Sequence, residues 1–156
     1  MSDPNKDRPV NIRKKNVVVL GGGAAGINAA LACIRCYPEV QVTLLDAEAE
    51  IGYYRPLLPQ FMTGRIDEDK LFFWKKEDDP RLTVRLNANA GRIDRQKRRL
   101  ELENGEELPY DRIILAPGGR PFIPPVCISR TCRLGVFSVR ELTAARAVRK
   151  WIPDHR

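Results

Sequence analysis

Six consecutive residues, Gly21-Gly22-Gly23-Ala24-Ala25-Gly26, carry the spacing G-x-G-x-x-G. Placed between a strand and a helix, such a turn is built to hold phosphate. Gly21 permits the tight exit from the strand, Gly23 lets backbone approach a pyrophosphate with no Cβ in the way, and Gly26 lets the helix pack close to the sheet. Ala24 and Ala25 open that helix, whose first amides are unpaired and whose dipole points its positive end at the phosphates. Asp46 follows twenty residues after Gly26. A carboxylate there accepts hydrogen bonds from a ribose diol and repels a 2′-phosphate, which favours FAD or NAD over NADP. The bland alternative is an accidental glycine-rich turn. Strand, glycines, helix, second strand and acid arriving in register argue against it.

Other reactive side chains point to less. Cys33-x-x-Cys36 falls on the helix, where positions i and i+3 share a face, and Cys127 and Cys132 form a second pair. A Cys₄ zinc or iron–sulfur site would need both pairs to converge, and C-x-x-C inside a regular helix is an awkward knuckle for a metal. Reduced, mostly buried thiols in a cytoplasmic chain are the reading, with no metal. His155, the only histidine, sits at a fraying terminus. No Ser-His-Asp or paired-carboxylate constellation is visible, so no catalytic residue is assigned.

The elements that position these groups read as α/β. Val17 to Leu20 is a short apolar run, as in a strand buried on both faces. Ala24 to Tyr37 has Ile27, Ala30, Leu31 and Ile34 at helical spacing and is stopped by Pro38. Val40 to Leu45 makes the second strand, completing a βαβ unit. Ile51 to Pro59 reads as a site loop, with short helices at Leu57–Met62 and Leu71–Lys75. Leu82, Val84 and Leu86 alternate as a third strand. Ile93, Leu100 and Leu102, then Leu108 and Tyr110 form a small antiparallel meander with one charged face, turned by Asn104-Gly105. Ile113 to Ala116 is another buried strand, broken by Pro117-Gly118-Gly119. Ser138, with Glu141 three residues on, is a capping box for a last helix whose apolar stripe is Leu142, Ala145, Val148 and Ile152. The expectation is a Rossmann-like βαβ parallel sheet with a small antiparallel β-meander and a C-terminal helix.

At 156 residues and 43% hydrophobic content the chain suits one folded unit, and its composition excludes collagen-like or wholly disordered classes. No apolar run approaches a membrane span, and no signal-peptide core precedes Lys15, so a cytoplasmic protein without a membrane partner is expected. The net charge of +7 is unevenly placed: seven basic groups against one acid lie between Arg81 and Arg99, and eight against two from Arg120 onward. These blocks suit nucleic acid, an acidic partner, or simply a solvated Arg-rich exterior. Nucleic acid is disfavoured, because no aromatics interleave the basic residues.

From Asn16 onward the chain resembles the N-terminal part of the FAD-dependent pyridine nucleotide-disulfide oxidoreductase superfamily. The subgroup it is most similar to holds rubredoxin reductases, NADH oxidases and the nitrite reductase large subunit. Beyond the glycine fingerprint, three segments carry the likeness. Tyr53-Tyr54-Arg55-Pro56-Leu57-Leu58 resembles Y-x-R-P-x-L, and Tyr110-Asp111 followed by Ile113 to Gly118 resembles Y-D-x-L-[VI]-[LI]-A-T-G. Gly135-Val136-Phe137 with Arg140 and Leu142 resembles the segment leading into the family's NADH domain. Two departures stand out. Pro117 replaces the usual Thr, removing a hydroxyl and a backbone donor, and no second glycine fingerprint follows.

The resemblance implies FAD as the dinucleotide, held by Gly21, Gly23, Ala24, Ala25, Gly26 and Asp46, with Ala88 near adenine and Ala116, Pro117 and Gly118 along the cofactor. It implies Arg55 and Pro56 beside the isoalloxazine ring. Arg55 would place positive charge near the flavin, or else be a surface cation paired with a carboxylate; Tyr53 and Tyr54 would shield the ring or pack in the loop. The organisation expected is a tail at 1–15, an FAD-binding domain at 16–122, and a connecting segment and helix at 123–156. That unit belongs to an NAD(P)H-dependent flavin oxidoreductase completed by a C-terminal region or a partner chain. NADH would enter through that missing part, a protein electron acceptor would receive the electrons, and homo- or hetero-oligomers are open. The competing reading is a non-catalytic adenine-dinucleotide-binding scaffold or electron-transfer subunit.

Overall fold

The computed structural model describes residues 14–75, 78–122 and 135–154. The Cys127 and Cys132 pair, His155, and residues 1–13 of the expected tail lie outside the described residues. At the centre is β1 (Lys15–Leu20), whose apolar run serves two layers at once. Val17 and Val19 pack with Ile27, Ala30 and Ile34 of α1 (Ala24–Cys36). Val18 and Leu20 point the other way and pack with Leu100, Leu102 and Tyr110 of the meander. Alternation along a strand sends neighbours to opposite faces. Each fully buried Val or Leu contributes roughly 1.5–3 kcal/mol, so these two faces carry most of the cohesion.

Helix α1 stops one residue before the expected end. Tyr37, forced out of the helical region by Pro38, is extended, and its amide donates to the Cys33 carbonyl at 3.0 Å. β2 (Val40–Leu45) runs parallel to β1, with Val17 opposite Val42 and Leu20 opposite Leu45. β3 (Leu82–Arg85) flanks β2 and β7 (Arg112–Leu115) flanks β1, giving the all-parallel order β3-β2-β1-β7. The run from Ile113 to Ala116, expected as a buried strand, lies at the edge of this sheet among the described residues. Ile113 and Ile114 are half-buried, and Leu115 is 59% exposed. The second sheet is the expected meander, β4 (Ala90–Asp94), β5 (Arg99–Leu102) and β6 (Glu107–Pro109). Its second turn uses Gly105 at φ +84° and the Asn104 side chain, which accepts from the Glu106 amide at 3.0 Å.

A third cluster, Tyr53, Leu58, Phe61, Leu71, Leu142 and Ala145, joins α2 (Leu58–Met62) to α3 (Leu142–Asp154). Two local expectations fail here. No helix spans Leu71–Lys75: a 3₁₀ turn at Glu68–Leu71 gives way to extended chain, Phe72 bridges to Tyr53, and the Phe73 and Trp74 amides both donate to the Gly52 carbonyl. Three consecutive bulky aromatics gain more from this pairing than from a helical turn. The capping box also fails. α3 begins at Leu142, and the Leu142 amide is satisfied by the Tyr53 hydroxyl at 3.2 Å rather than by Ser138. No described helix is long and apolar enough to cross a membrane.

Candidate functional site

The carboxyl ends of the parallel strands gather four loops, the place where open α/β sheets hold ligands. β1 delivers the glycine turn, β2 delivers Asp46, β3 leads to Ala88, and β7 leads to Ala116, Pro117 and Gly118. The loops are stitched by main chain. The Gly21 amide donates to the Leu45 carbonyl at 2.8 Å, the Ala116 amide to Leu20 at 2.8 Å, and the Ala88 amide to Asp46 at 2.9 Å.

Within the glycine turn the absent side chains matter for different reasons. Gly21 has φ +107°, and a Cβ there would overlap the Ala116 carbonyl. A Cβ on Gly26 would overlap the Gly21 carbonyl, so its closeness serves the turn itself more than the packing of helix on sheet. Gly22, a free position in the motif, is equally constrained: a Cβ there would strike the Ile51 side chain. Gly23 is the exception. Nothing lies within 4 Å of where its Cβ would point. Gly23 caps α1 in an extended conformation, and no acidic side chain occupies the first turn. Among the described residues nothing accepts from the amides of Gly23, Ala24, Ala25 and Gly26, the ordinary condition of an uncapped helix start. The result is an open, donor-rich cradle that a phosphate group fits.

Asp46 borders the cradle from the β2 side. One carboxylate oxygen accepts from the Gly22 amide, the other from the Glu48 amide at 2.8 Å. Each oxygen keeps a further lone pair for a ribose hydroxyl. Asp46 therefore fixes the turn, a duty its sequence position does not reveal.

Arg55 and Pro56 lie beyond this, on the rim of an open cleft of about 400 Å³. The Arg55 guanidinium is a paired cation. It donates to Glu48 Oε1 at 2.5 Å, to the Tyr53 hydroxyl at 2.8 Å and to the Arg140 carbonyl at 2.8 Å. The Tyr53 hydroxyl donates in turn to Glu48 Oε2 at 2.5 Å. Burial of Tyr53, with its bond to Glu48, pushes the phenol well above its usual range. Of the two readings of Arg55, the carboxylate-paired one describes the observed contacts. Of the two loop tyrosines, Tyr53 is buried, while Tyr54 is half-exposed against Phe73 at 4.7 Å between ring centroids. The sequence carries no mark of Glu48 as a site residue, nor of the bonds that the Tyr53 hydroxyl and the Arg140 carbonyl make here. Partners are up to 89 residues apart along the chain, and no local pattern announces them.

Cys33 and Cys36 are free thiols, one half-buried and one exposed at the end of α1. Burial, and then the neighbouring Cys36, push the Cys33 thiol upward, the opposite of an activated nucleophile.

The chain is similar to known proteins over most of its length. Residues 15–155 match the family described as pyridine nucleotide-disulphide oxidoreductase. An NADH oxidase of Methanocaldococcus jannaschii is 27% identical over 88% of this chain and 32% of its own. An NAD(P)H coenzyme A polysulfide/persulfide reductase of Pyrococcus horikoshii is 30% identical over 92% of this chain and 33% of its own. The reductase in a covalent putidaredoxin reductase–putidaredoxin complex superposes with a TM-score of 0.78, at 25% identity, over 90% of this chain and 34% of its own. The chain thus spans about a third of the length of the curated relatives it matches.

Proposed function

The chain belongs to the pyridine nucleotide-disulphide oxidoreductase family, and we propose that it is the FAD-binding portion of an NAD(P)H-dependent flavin oxidoreductase. The family is one of FAD-binding flavoproteins. The observation that carries the reading is the open cradle at Gly23, with its unpaired amides and Asp46 alongside. The amides of Gly23, Ala24, Ala25 and Gly26 hold the diphosphate, Asp46 accepts from the adenosine ribose, Ala88 lies toward adenine, and Ala116, Pro117 and Gly118 line the course toward the cleft. Arg55 and Pro56 form part of the cleft's wall. When bound, the flavin supplies the hydride and electron chemistry, and the protein's part is to bind, orient and exclude water.

NAD(P)H reaches the site through a region beyond residues 16–122 or a partner chain, with 123–156 as the connection, and electrons pass to a protein or small-molecule acceptor. The free thiols support a reducing, cytoplasmic setting. The test is spectroscopic. Purified protein should be yellow or take up FAD stoichiometrically, and its flavin should be reduced by NADH once the complementing region is supplied. A colourless protein that binds ADP and rejects FAD would instead be a non-catalytic dinucleotide-binding scaffold.

A further inference from the structure

The two ends of the parallel sheet are chemically unlike. The carboxyl end carries the glycine cradle, and the amino end gathers cations for which the cofactor has no use. Main-chain bonds bring them together. The Asp111 amide donates to the Asn16 carbonyl at 2.8 Å and Arg112 stands opposite Val17, which sets Arg112 near Lys14 and Lys15 at the start of β1. The Tyr110 amide donates to the Arg98 carbonyl at 3.0 Å, and the Tyr110 hydroxyl to the Asp94 carbonyl at 3.3 Å. These two bonds dock the turn between β4 and β5, Arg95-Gln96-Lys97-Arg98, onto the same end. Lys14, Lys15, Arg95, Lys97, Arg98 and Arg112 are exposed, and among the described residues none of them is in an ion pair.

The meander explains why no counter-ions reach them. Antiparallel strands place the basic turn at one end and the Asn104-Gly105 turn, with its glutamates, at the other. Glu106 and Glu107 are engaged there by Arg85 and Arg99. The four residues of β5 hold the two turns about 14 Å apart, beyond the screening length of about 8 Å at physiological salt. Acids at the amino end are few. Asp94 and Asp111 each give an oxygen to a main-chain amide, of Lys97 at 2.8 Å and of Asn16 at 2.9 Å, and Glu39 is exposed where its carbonyl meets the Lys15 amide.

Unpaired Lys and Arg side chains gathered in this way receive carboxylates or phosphates. The scattered acids decide between the two. A nucleic acid or an anionic bilayer is negative throughout and meets Glu39 with repulsion, whereas a folded partner can set a donor opposite it. Tyr37, 64% exposed between α1 and β2 at the same end, adds an aromatic side chain of the kind enriched in protein interfaces. We propose that the amino end of the sheet is a docking surface for an acidic face of a partner protein. The six residues of β1 put this surface about 20 Å from the glycine turn, so a partner seated there leaves the dinucleotide groove open.

The test is fluorescence anisotropy with a labelled peptide of alternating glutamate and glutamine, beside an oligonucleotide and vesicles containing phosphatidylserine. The chain should bind the peptide at low salt, and Lys15→Glu with Lys97→Glu should weaken it about tenfold or more. Lys15→Gln with Lys97→Gln, which removes charge without adding repulsion, should fall between. Reversing two exposed cations elsewhere, Arg65→Glu with Lys150→Glu, makes the same change in net charge and should leave binding within about twofold. Circular dichroism melts establish that each variant is folded. Equal losses in the two reversed pairs would reduce the effect to net charge and overturn the proposal. So would a peptide that does not bind. An oligonucleotide or vesicle that binds more tightly than the peptide, and is lost in Lys15→Glu with Lys97→Glu, would assign the surface to nucleic acid or membrane instead.

Discussion

Replacing Tyr53 by Phe deletes one oxygen atom and tests the junction between the site loop and α3. That oxygen donates to Glu48 Oε2 at 2.5 Å, accepts from Arg55 Nη1 at 2.8 Å and accepts from the buried Leu142 amide at 3.2 Å. The losses are unequal. Glu48 and Arg55 stay joined through Oε1 and Nη2, both partly solvated, so their share is that of a screened pair, about 0–1 kcal/mol. The Leu142 amide is left without an acceptor in a buried place, at a cost of about 1–3 kcal/mol. The sum centres near ~2.5 kcal/mol, a drop in Tm of roughly 5–10 °C for a chain of this size. Urea unfolding followed by circular dichroism should show the midpoint fall. The phenol's pKa is raised on folding above the ordinary tyrosine value near 10. Its contribution is therefore complete below pH ~10 and is lost as the pH climbs through the folded value. The gap between the two proteins should be constant at neutral pH and close above pH ~10. A midpoint change worth less than about 0.5 kcal/mol, the level of an ordinary surface substitution, would refute the reasoning.

Gly23→Ala should cost no more than about 1 kcal/mol of stability, the deficit of Ala against Gly at a helix cap, since the backbone there is extended and the space is open. It should nonetheless weaken ADP and FAD at least about tenfold, as a methyl group enters the cradle. Gly26→Ala should do the reverse in stability, costing about 1–3 kcal/mol or more as its methyl meets the Gly21 carbonyl; denaturant melts of the two separate the effects. Asp46→Ala should weaken dinucleotide binding by roughly 1–3 kcal/mol and also lower the Tm, because the Gly22 and Glu48 amides lose their acceptor; unchanged affinity in calorimetry would count against the register proposed for the ligand. Arg146, bonded to both Glu68 and Glu50, holds the Glu68 carboxyl below its usual range. A depressed carboxylate pKa stabilises above the unfolded value and is lost as pH falls through the folded one. The docking of α3 should loosen below pH ~4.5 by no more than about 1 kcal/mol, and Arg146→Met should abolish that pH dependence.

The parts of the fold visible from sequence are those encoded by neighbours. Val17 to Leu20, the glycines and Ile27, Ala30 and Ile34 specify strand, turn and helix within twenty residues, and their register makes Asp46 the next element's end. The parts not visible depend on partners brought together by the whole chain. Arg55 carries no mark showing that Glu48 will neutralise it, and Tyr53 none showing that its hydroxyl will cap a helix 89 residues away. Ser138 and Glu141 spell a local cap, but the tertiary donor-acceptor pair at Tyr53 and Leu142 displaced it. The apolar aromatic run from Leu71 to Lys75 is compatible with either period, and the Gly52 carbonyl decides for extended chain. The motif leaves the Gly22 position free, while here Ile51 occupies the space a side chain would need.

The edge position of β7 has a consequence for anyone handling the isolated chain. Among the described residues no strand pairs with the outer side of β7, so Ile113, Ile114 and Leu115 form a short apolar border whose main-chain donors and acceptors have no strand partner there. Such a border is a template for recruiting further strands. Crowding the protein in a tube should therefore shorten its working life, and a lysine at Leu115 should lengthen it without touching the core.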